Sequence, residues 1–207
     1  MRTNVYVDGF NLYYGAVKDT PYKWLDLGKL CQLLLPRHKV NRIRYFTARI
    51  TPRPNDPQQL QRQQTYIRAL ETIPNLSVHY GSFLSNKKRL PLANPPPNGP
   101  RTVEVLVTQE KGSDVNLATY LIVEGITKDY DVAVIVSNDS DLALPASFVR
   151  HQLGLSIGIL NPHRKPSREL YKVANFYKPI RKSVLRASQF PPTLTDAHGT
   201  ITKPATW

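Results

Sequence analysis

Cysteine is almost absent from this 207-residue chain. Cys31 stands alone, so no internal disulfide can form, and one thiol among five scattered histidines cannot build a zinc finger or ribbon. Acidic residues are scarce too. Fifteen Asp plus Glu face 28 Lys plus Arg, leaving a formal charge of +13 with histidines neutral, and such a surplus points toward polyanionic partners. Long apolar runs are missing: residues 117–126 (LATYLIVEGI) are interrupted by Glu124 and fall well short of the roughly 20 residues of a bilayer span. Met1, Arg2 and Thr3 lead directly into NVYVD, with no apolar signal region or small-residue cleavage site, so secretion is not expected and a reducing cytoplasm is the expected compartment. No G-x-x-x-x-G-K or G-x-G-x-x-G follows any predicted strand, which disfavours P-loop and dinucleotide binding.

What remains is a chain with 41% hydrophobic residues, enough for a real core. Strands are predicted at 4–7, 42–50, 76–83, 102–108, 132–137 and 155–160. Helical spacing occupies 10–17 and 25–35, the stretch after the breaker-rich 51–57, 114–126 and 142–153. Asp56 is placed to cap the third helix with Pro57 at its first position. Residues 132–137 (VAVIVS) form a continuous apolar run, as expected of a central parallel strand covered on both faces. The β-then-α alternation predicts a three-layer α/β/α, Rossmann-like domain over residues 1–177 with a mainly parallel central sheet. Within it, 86–101 (NKKRLPLANPPPNGPR) carries five prolines and four basic residues and reads as an extended basic loop rather than a strand or helix. Residues 178–207 read as a basic C-terminal tail that docks or stays mobile.

The candidate chemistry lies in carboxylates at strand ends, where an open α/β sheet binds its ligands. Asp8 follows the first strand, Asp139 and Asp141 follow the most hydrophobic one, and Asp114 opens a helix after the fourth. A cluster of anionic oxygens repels itself and normally persists by binding a hard cation such as Mg²⁺ or Mn²⁺. A local acidic pocket on a basic chain suits a phosphodiester. Each acid alone has a bland role as well, Asp8 as a turn residue and the other three as helix caps. Candidate phosphate-tracking groups are Lys111, Arg44, Arg49, Arg53, the basic loop residues Lys87, Lys88 and Arg89, and Arg164 and Lys165 of HRKPSR at 163–168. Arg42 and Arg44 share one face of their strand. Tyr13, Tyr14 and Tyr80 are candidates for stacking unpaired bases. Cys31 reads as a buried small hydrophobe.

NVYVDGFNLYY at 4–14, EKGSDVNLATYL at 110–121 and VIVSNDSDL at 134–142 together resemble the NYN family of PIN-like ribonucleases, including the DUF88 or LabA-type proteins. The resemblance spans about residues 3–160. It implies a PIN-like fold and metal-dependent RNA cleavage. Asp8, Asp114 and Asp139, with Asp141 as a fourth acid, would be metal-binding and catalytic, and Asn11 and Ser137 polar members of the same pocket. It also implies hydrolysis to 5′-phosphate and 3′-hydroxyl ends. RNA is the expected partner, and a homodimer and an inhibitory antitoxin-like protein are further candidates. A competing reading is an RNA-binding or scaffold module whose pocket is idle. A phosphatase of the haloacid dehalogenase type would need its D-x-D after the first strand, where this chain has Asp8-Gly9-Phe10, and a nucleotide-sugar enzyme a larger domain.

Overall fold

The computed structural model describes residues 1–50 and 56–207. In chain order the elements are β1 (Arg2–Asp8), α1 (Gly9–Leu12) running on through a π-helical turn at Tyr13–Val17, α2 (Leu27–Leu34), β2 (Lys39–Ala48), α3 (Gln59–Leu70), β3 (Leu76–Pro91) and β4 (Thr102–Lys111). There follow α4 (Ser113–Ile126), β5 (Val132–Val136), a 3₁₀ turn at Ser140–Leu142, α5 (Ala143–His151), β6 (Ser156–Asn161), α6 (Arg168–Val173), β7 (Phe176–Pro179), α7 (Lys182–Ala187), β8 (Thr193–Asp196) and β9 (Gly199–Thr202). The main sheet has seven strands in the order β4-β3-β2-β1-β5-β6-β7, parallel throughout except for β4.

Side-chain alternation divides the core between the two faces of this sheet. Val5, Val7, Val132, Val134 and Val136 point toward α2, α3 and α7, while Tyr6, Ala133 and Ile135 point toward α4, α5 and α6. Both faces are covered, which is why β5 is apolar along its whole length, and the α/β/α expectation holds. Helix α5 carries Pro145 in its first turn, where no intrahelical partner for its nitrogen is required.

Two expectations need correction and one open alternative is decided. The segment 86–101 is not all loop, because β3 continues through Pro91 and pairs antiparallel with β4 from Ser82↔Lys111 to Pro91↔Thr102. Lys87, Lys88 and Arg89 are therefore strand residues. The prolines at 95–97 and 100 are confined to the tip, and Pro91 sits at the last strand position, where a missing ladder donor costs least. β3 pairs with β2 only over Leu76–Gly81, so the outer part of the β3–β4 hairpin projects past the sheet as a two-stranded arm. At the base of this arm the chain requires glycine: a Cβ on Gly81 would lie 2.3 Å from Glu110 Oε1 and 2.6 Å from the Lys111 carbonyl.

Second, of the two alternatives left open for residues 178–207, docking or mobility, the structure has the segment docked on the domain. Strand β7 ends at Pro179 inside the sheet, Leu185 of α7 is buried, Phe190 N donates to the Trp24 carbonyl at 3.0 Å, and Trp207 packs edge-on to Trp24 and Tyr66. The weak periodicity of this stretch reflects short elements that bury one or two large side chains each, not mobility. Third, α3 begins at Gln59 with Gln58 at its N-cap. Asp56 instead forms an ion pair with Arg62 and accepts through its backbone carbonyl from Gln59 N at 3.2 Å. The breaker-rich residues 51–55, including Arg53, lie outside the described residues.

Candidate functional site

Strand β1 lies at the point where the sheet order reverses, with β2 on one side and β5 on the other, and the crevice at their carboxyl ends is the natural ligand position of this fold. Asp8 ends β1 and is buried, only 5% exposed. Its Oδ1 accepts from Asn11 N at 2.9 Å, capping α1, while Oδ2 accepts from the Ser137 hydroxyl at 3.0 Å. Ser137 Oγ accepts in turn from Asp139 N at 3.1 Å. Asn11 reaches across with Oδ1 to accept from Asn138 N at 2.9 Å, tying the end of β1 to the end of β5. Gly9 is dictated by close approach, because a Cβ there would stand 2.7 Å from the Tyr45 ring and 2.8 Å from the Phe46 carbonyl.

Asp139 caps the 3₁₀ turn by accepting from Asp141 N at 3.0 Å, which leaves its second oxygen for other partners. Asp114 stands in the first turn of α4, behind a left-handed Gly112, and is exposed toward the same crevice. The capping roles and a ligand-binding role are thus compatible: a carboxylate has about four acceptor sites and a cap uses one. Asp8, Asp114 and Asp139 line one cleft of about 670 Å³. Asp141 lies outside that lining, yet its charge acts on Asp114.

The electrostatics show how close these groups are. Burial pushes the Asp8 carboxyl up to about 6, with Asp114 and Asp139 adding repulsion, against hydrogen bonds from Asn11 and Ser137 that pull it down. Asp114 is raised as well, by desolvation and then by the charges of Asp139, Glu110 and Asp141. Among the described residues no three His, Cys, Asp or Glu side chains are already drawn into a closed metal cage. The donor set still fits a hard divalent cation: all-oxygen, mutually repelling, and held at strand and helix ends rather than neutralised by lysine or arginine.

The remaining sequence candidates divide. Lys111 ends β4 and is exposed; Arg164 and Lys165 are exposed in the loop after β6, which is tied to the site by Asn138 Nδ2 donating to the Lys165 carbonyl at 3.1 Å and Ser167 N donating to Asn138 Oδ1 at 2.7 Å. On the arm, Phe83 and Ser85 of β3 and Leu106, Thr108 and Glu110 of β4 face the cleft. Strand alternation puts Lys87 and Arg89 on that same face farther out, and Lys88 on the other. Arg49 lies over the Tyr80 ring at 5.1 Å. Arg44 does not belong with these. Its guanidinium is ion-paired with buried Glu124 and donates to Ser77 Oγ at 3.1 Å, inside a network that includes Tyr6 OH on Glu124 at 2.6 Å. The basic face predicted for β2 is spent on that network, since Arg42 on the same face is paired with Asp129 at 2.8 Å and Asn4 Nδ2 donates to both Glu124 and Asp129. Burial pushes the Cys31 thiol up to about 12, as suits an inert core residue.

Sequence reasoning missed His163, Phe10 and Phe83, all of which line the cleft. No spacing marked them, because each arrives on a different element.

Comparison with known proteins places this geometry in a family context. The family model described as "NYN domain" matches residues 2–181. The 6-hydroxy-3-succinoylpyridine 3-monooxygenase HspA of Pseudomonas putida (strain DSM 28022 / S16) is 33% identical over 237 aligned positions that cover 100% of this chain and 75% of that protein. A crystal structure of a protein of unknown function from Vibrio parahaemolyticus RIMD 2210633 superposes with a TM-score of 0.58 at 16% identity, covering 87% of this chain and 93% of the other. That last likeness concerns the fold alone.

Proposed function

Because this chain belongs to the NYN domain family, a PIN-like, nuclease-type domain, we propose that it is a metal-dependent ribonuclease acting at the β1–β5 crevice. One observation carries the reading: three aspartates from distant parts of a strongly basic chain line a single cleft at the switch point of the sheet. Mg²⁺ or Mn²⁺ bound there would supply Lewis-acid stabilisation of the phosphodiester and a bound water of lowered pKa. The protein's own residues set the stage. Asn11 N and Ser137 fix the Asp8 carboxylate, Asn11 Oδ1 locks the β5 end beside it, and Asp139 and Asp114 line the same cleft. Lys111, Arg164, Lys165 and the arm residues Lys87 and Arg89 attract the phosphate backbone, giving affinity that falls with salt.

The test is cleavage of a labelled single-stranded RNA with Mg²⁺ or Mn²⁺, comparing wild type with Asp8→Asn and Asp139→Asn. Metal-dependent cutting to 5′-phosphate ends, abolished in both variants with RNA binding retained, is the expected result. Tight binding of RNA without cutting in wild type would favour the idle binding module.

The identity to HspA over the whole chain favours a second reading, in which the substrate is a small hydroxypyridine acid and the protein a monooxygenase like its named relative. That reaction inserts one oxygen atom of O₂ into substrate and reduces the other to water with two electrons and two protons from an external reductant. Oxygen-dependent conversion of 6-hydroxy-3-succinoylpyridine with a reduced nicotinamide added would support it, and its absence would dismiss it.

A further inference from the structure

Behind the carboxylate cleft lies a second cavity of about 440 Å³, within the range of pockets that hold one small ligand. Six aromatic rings stand among its described walls, those of Phe10, Tyr13, Tyr14, Tyr45, Tyr66 and Trp207. The two cavities are continuous in their lining, sharing Phe10, Tyr14, Ile50 and Gln59. Nothing in the carboxylate chemistry requires such a chamber. Its rear wall comes from Thr206 and Trp207, which lie beyond the segment matched by the family model and are held by Trp207 against Tyr66, with ring centroids 5.8 Å apart.

We propose that this cavity is a binding site for one planar nitrogen heterocycle that carries an anionic group, presented to the adjoining carboxylate cleft. Three features select that class. The rings offer faces and edges for stacking, and Tyr13 meets Tyr14 edge-on at 5.3 Å, leaving the exposed Tyr14 ring between the two cavities. At the shared wall the Gln59 side-chain oxygen is buried with no donor among the described residues, so it suits a ligand N–H such as the lactam of a hydroxypyridine or the imide of a pyrimidine base. Lys23 lines the cavity with no carboxylate paired to it among the described residues, and Lys18 lies 5.4 Å from the Tyr14 ring, whereas Arg62 is already paired with Asp56. An anionic arm therefore has cations to meet.

Two sources share this chemistry: a base of the RNA strand whose phosphate lies in the cleft, which rests on the ribonuclease reading, and a free heteroaromatic acid, which does not. Binding without turnover separates the inference from either activity. Full-length protein in EDTA is titrated by calorimetry with uridine 5′-monophosphate, adenosine 5′-monophosphate and 6-hydroxypyridine-3-carboxylate, and then repeated with Trp207→Ala and Gln59→Leu. Saturable binding of at least one probe is expected, weakened about fivefold or more on loss of the Trp207 ring and weakened again by Gln59→Leu. Preference for the nucleotides assigns the site to an RNA base, and preference for the pyridine acid to a free ligand. If no probe binds at millimolar concentration, or if binding is indifferent to both substitutions, the inference is overturned. Near-ultraviolet circular dichroism of each variant establishes that the fold persists, so lost binding reports the pocket.

Discussion

Replacing Asp8 with asparagine should make the metal-free protein more stable at neutral pH, although it removes a central member of the site. The Asp8 carboxyl has an ordinary value of 3.8 and is raised to about 6 in the fold, first by burial and then by the neighbouring charges of Asp114 and Asp139. A raised carboxyl means that the folded state holds its proton more tightly than the unfolded chain. Stability from this group is therefore present below pH 4, declines between pH 4 and 6, and is fully lost above 6, where the fold must carry a buried, repelled carboxylate. A carboxyl moved from 3.8 to about 6 corresponds to about 3 kcal/mol. The amide keeps the acceptor for Asn11 N but presents N–H groups to Ser137, whose hydroxyl now donates to Asp8 and accepts from Asp139 N. That mismatch costs about 1 kcal/mol. The net expectation is a gain of about 1–2 kcal/mol at pH 8 in EDTA and none, or a small loss, at pH 4. Urea unfolding of wild type and Asp8→Asn at the two pH values measures it. A variant less stable than wild type at pH 8, or a gain equal at both pH values, would refute the claim that this carboxylate is held in an unfavourable ionised state. Adding Mg²⁺ should then raise the stability of wild type and leave the variant unchanged, since binding to the native state adds RT ln(1 + [L]/Kd).

Arg44→Ala should destabilise by about 3–5 kcal/mol by leaving buried Glu124 unpaired, and the loss should shrink in the double variant with Glu124→Gln; chemical denaturation checks both, and a loss below about 1 kcal/mol would place the pair in solvent. Gly9→Ala should cost about 1–3 kcal/mol because its Cβ collides with the Tyr45 ring and the Phe46 carbonyl, read as a lowered melting temperature. Lys87→Ala with Arg89→Ala should weaken RNA binding across sequences and make the slope of log K against log salt shallower by about one for each phosphate no longer neutralised, whereas Lys88→Ala, on the other face of the arm, should change it least; fluorescence anisotropy over a salt series distinguishes them.

Strong local patterns made the central sheet legible in the sequence. VAVIVS could only be a strand covered on both faces, and the V-D-G turn after β1 marked a strand end beside a helix start. That Asp8, Asp114 and Asp139 meet in one cleft was legible for the same reason, since residues at strand ends inherit their positions from the sheet order. The arm was not legible. Its first strand contains three consecutive basic residues and a proline, and its pairing is stabilised by cross-strand contacts such as Leu90↔Val103, which propensity along one strand does not reveal. Arg44 misled for a related reason: strand alternation located its face correctly but not what packs there, and Glu124, which appears in the sequence as an interruption of an apolar run, is its buried partner. The C-terminal stretch failed as a pattern because its order depends on single long-range anchors, Leu185, Phe190 and Trp207, each meeting a surface set by residues more than a hundred positions earlier.

Those two poorly legible regions bracket the site. The arm of β3 and β4 supplies one wall of the carboxylate cleft, and the C-terminal residues close the aromatic cavity behind it. The family segment ends at residue 181, so the acids and their hydrogen-bonded frame lie within it while Trp207 lies beyond it. Reactivity and selectivity are therefore separable by substitution. Changing Asp8 or Asp139 should abolish chemistry with ligand binding intact, and changing Trp207 should alter which ligand is bound while the frame formed by Asn11, Ser137 and Asn138 stays in place, because Trp207 takes part in none of that frame's hydrogen bonds.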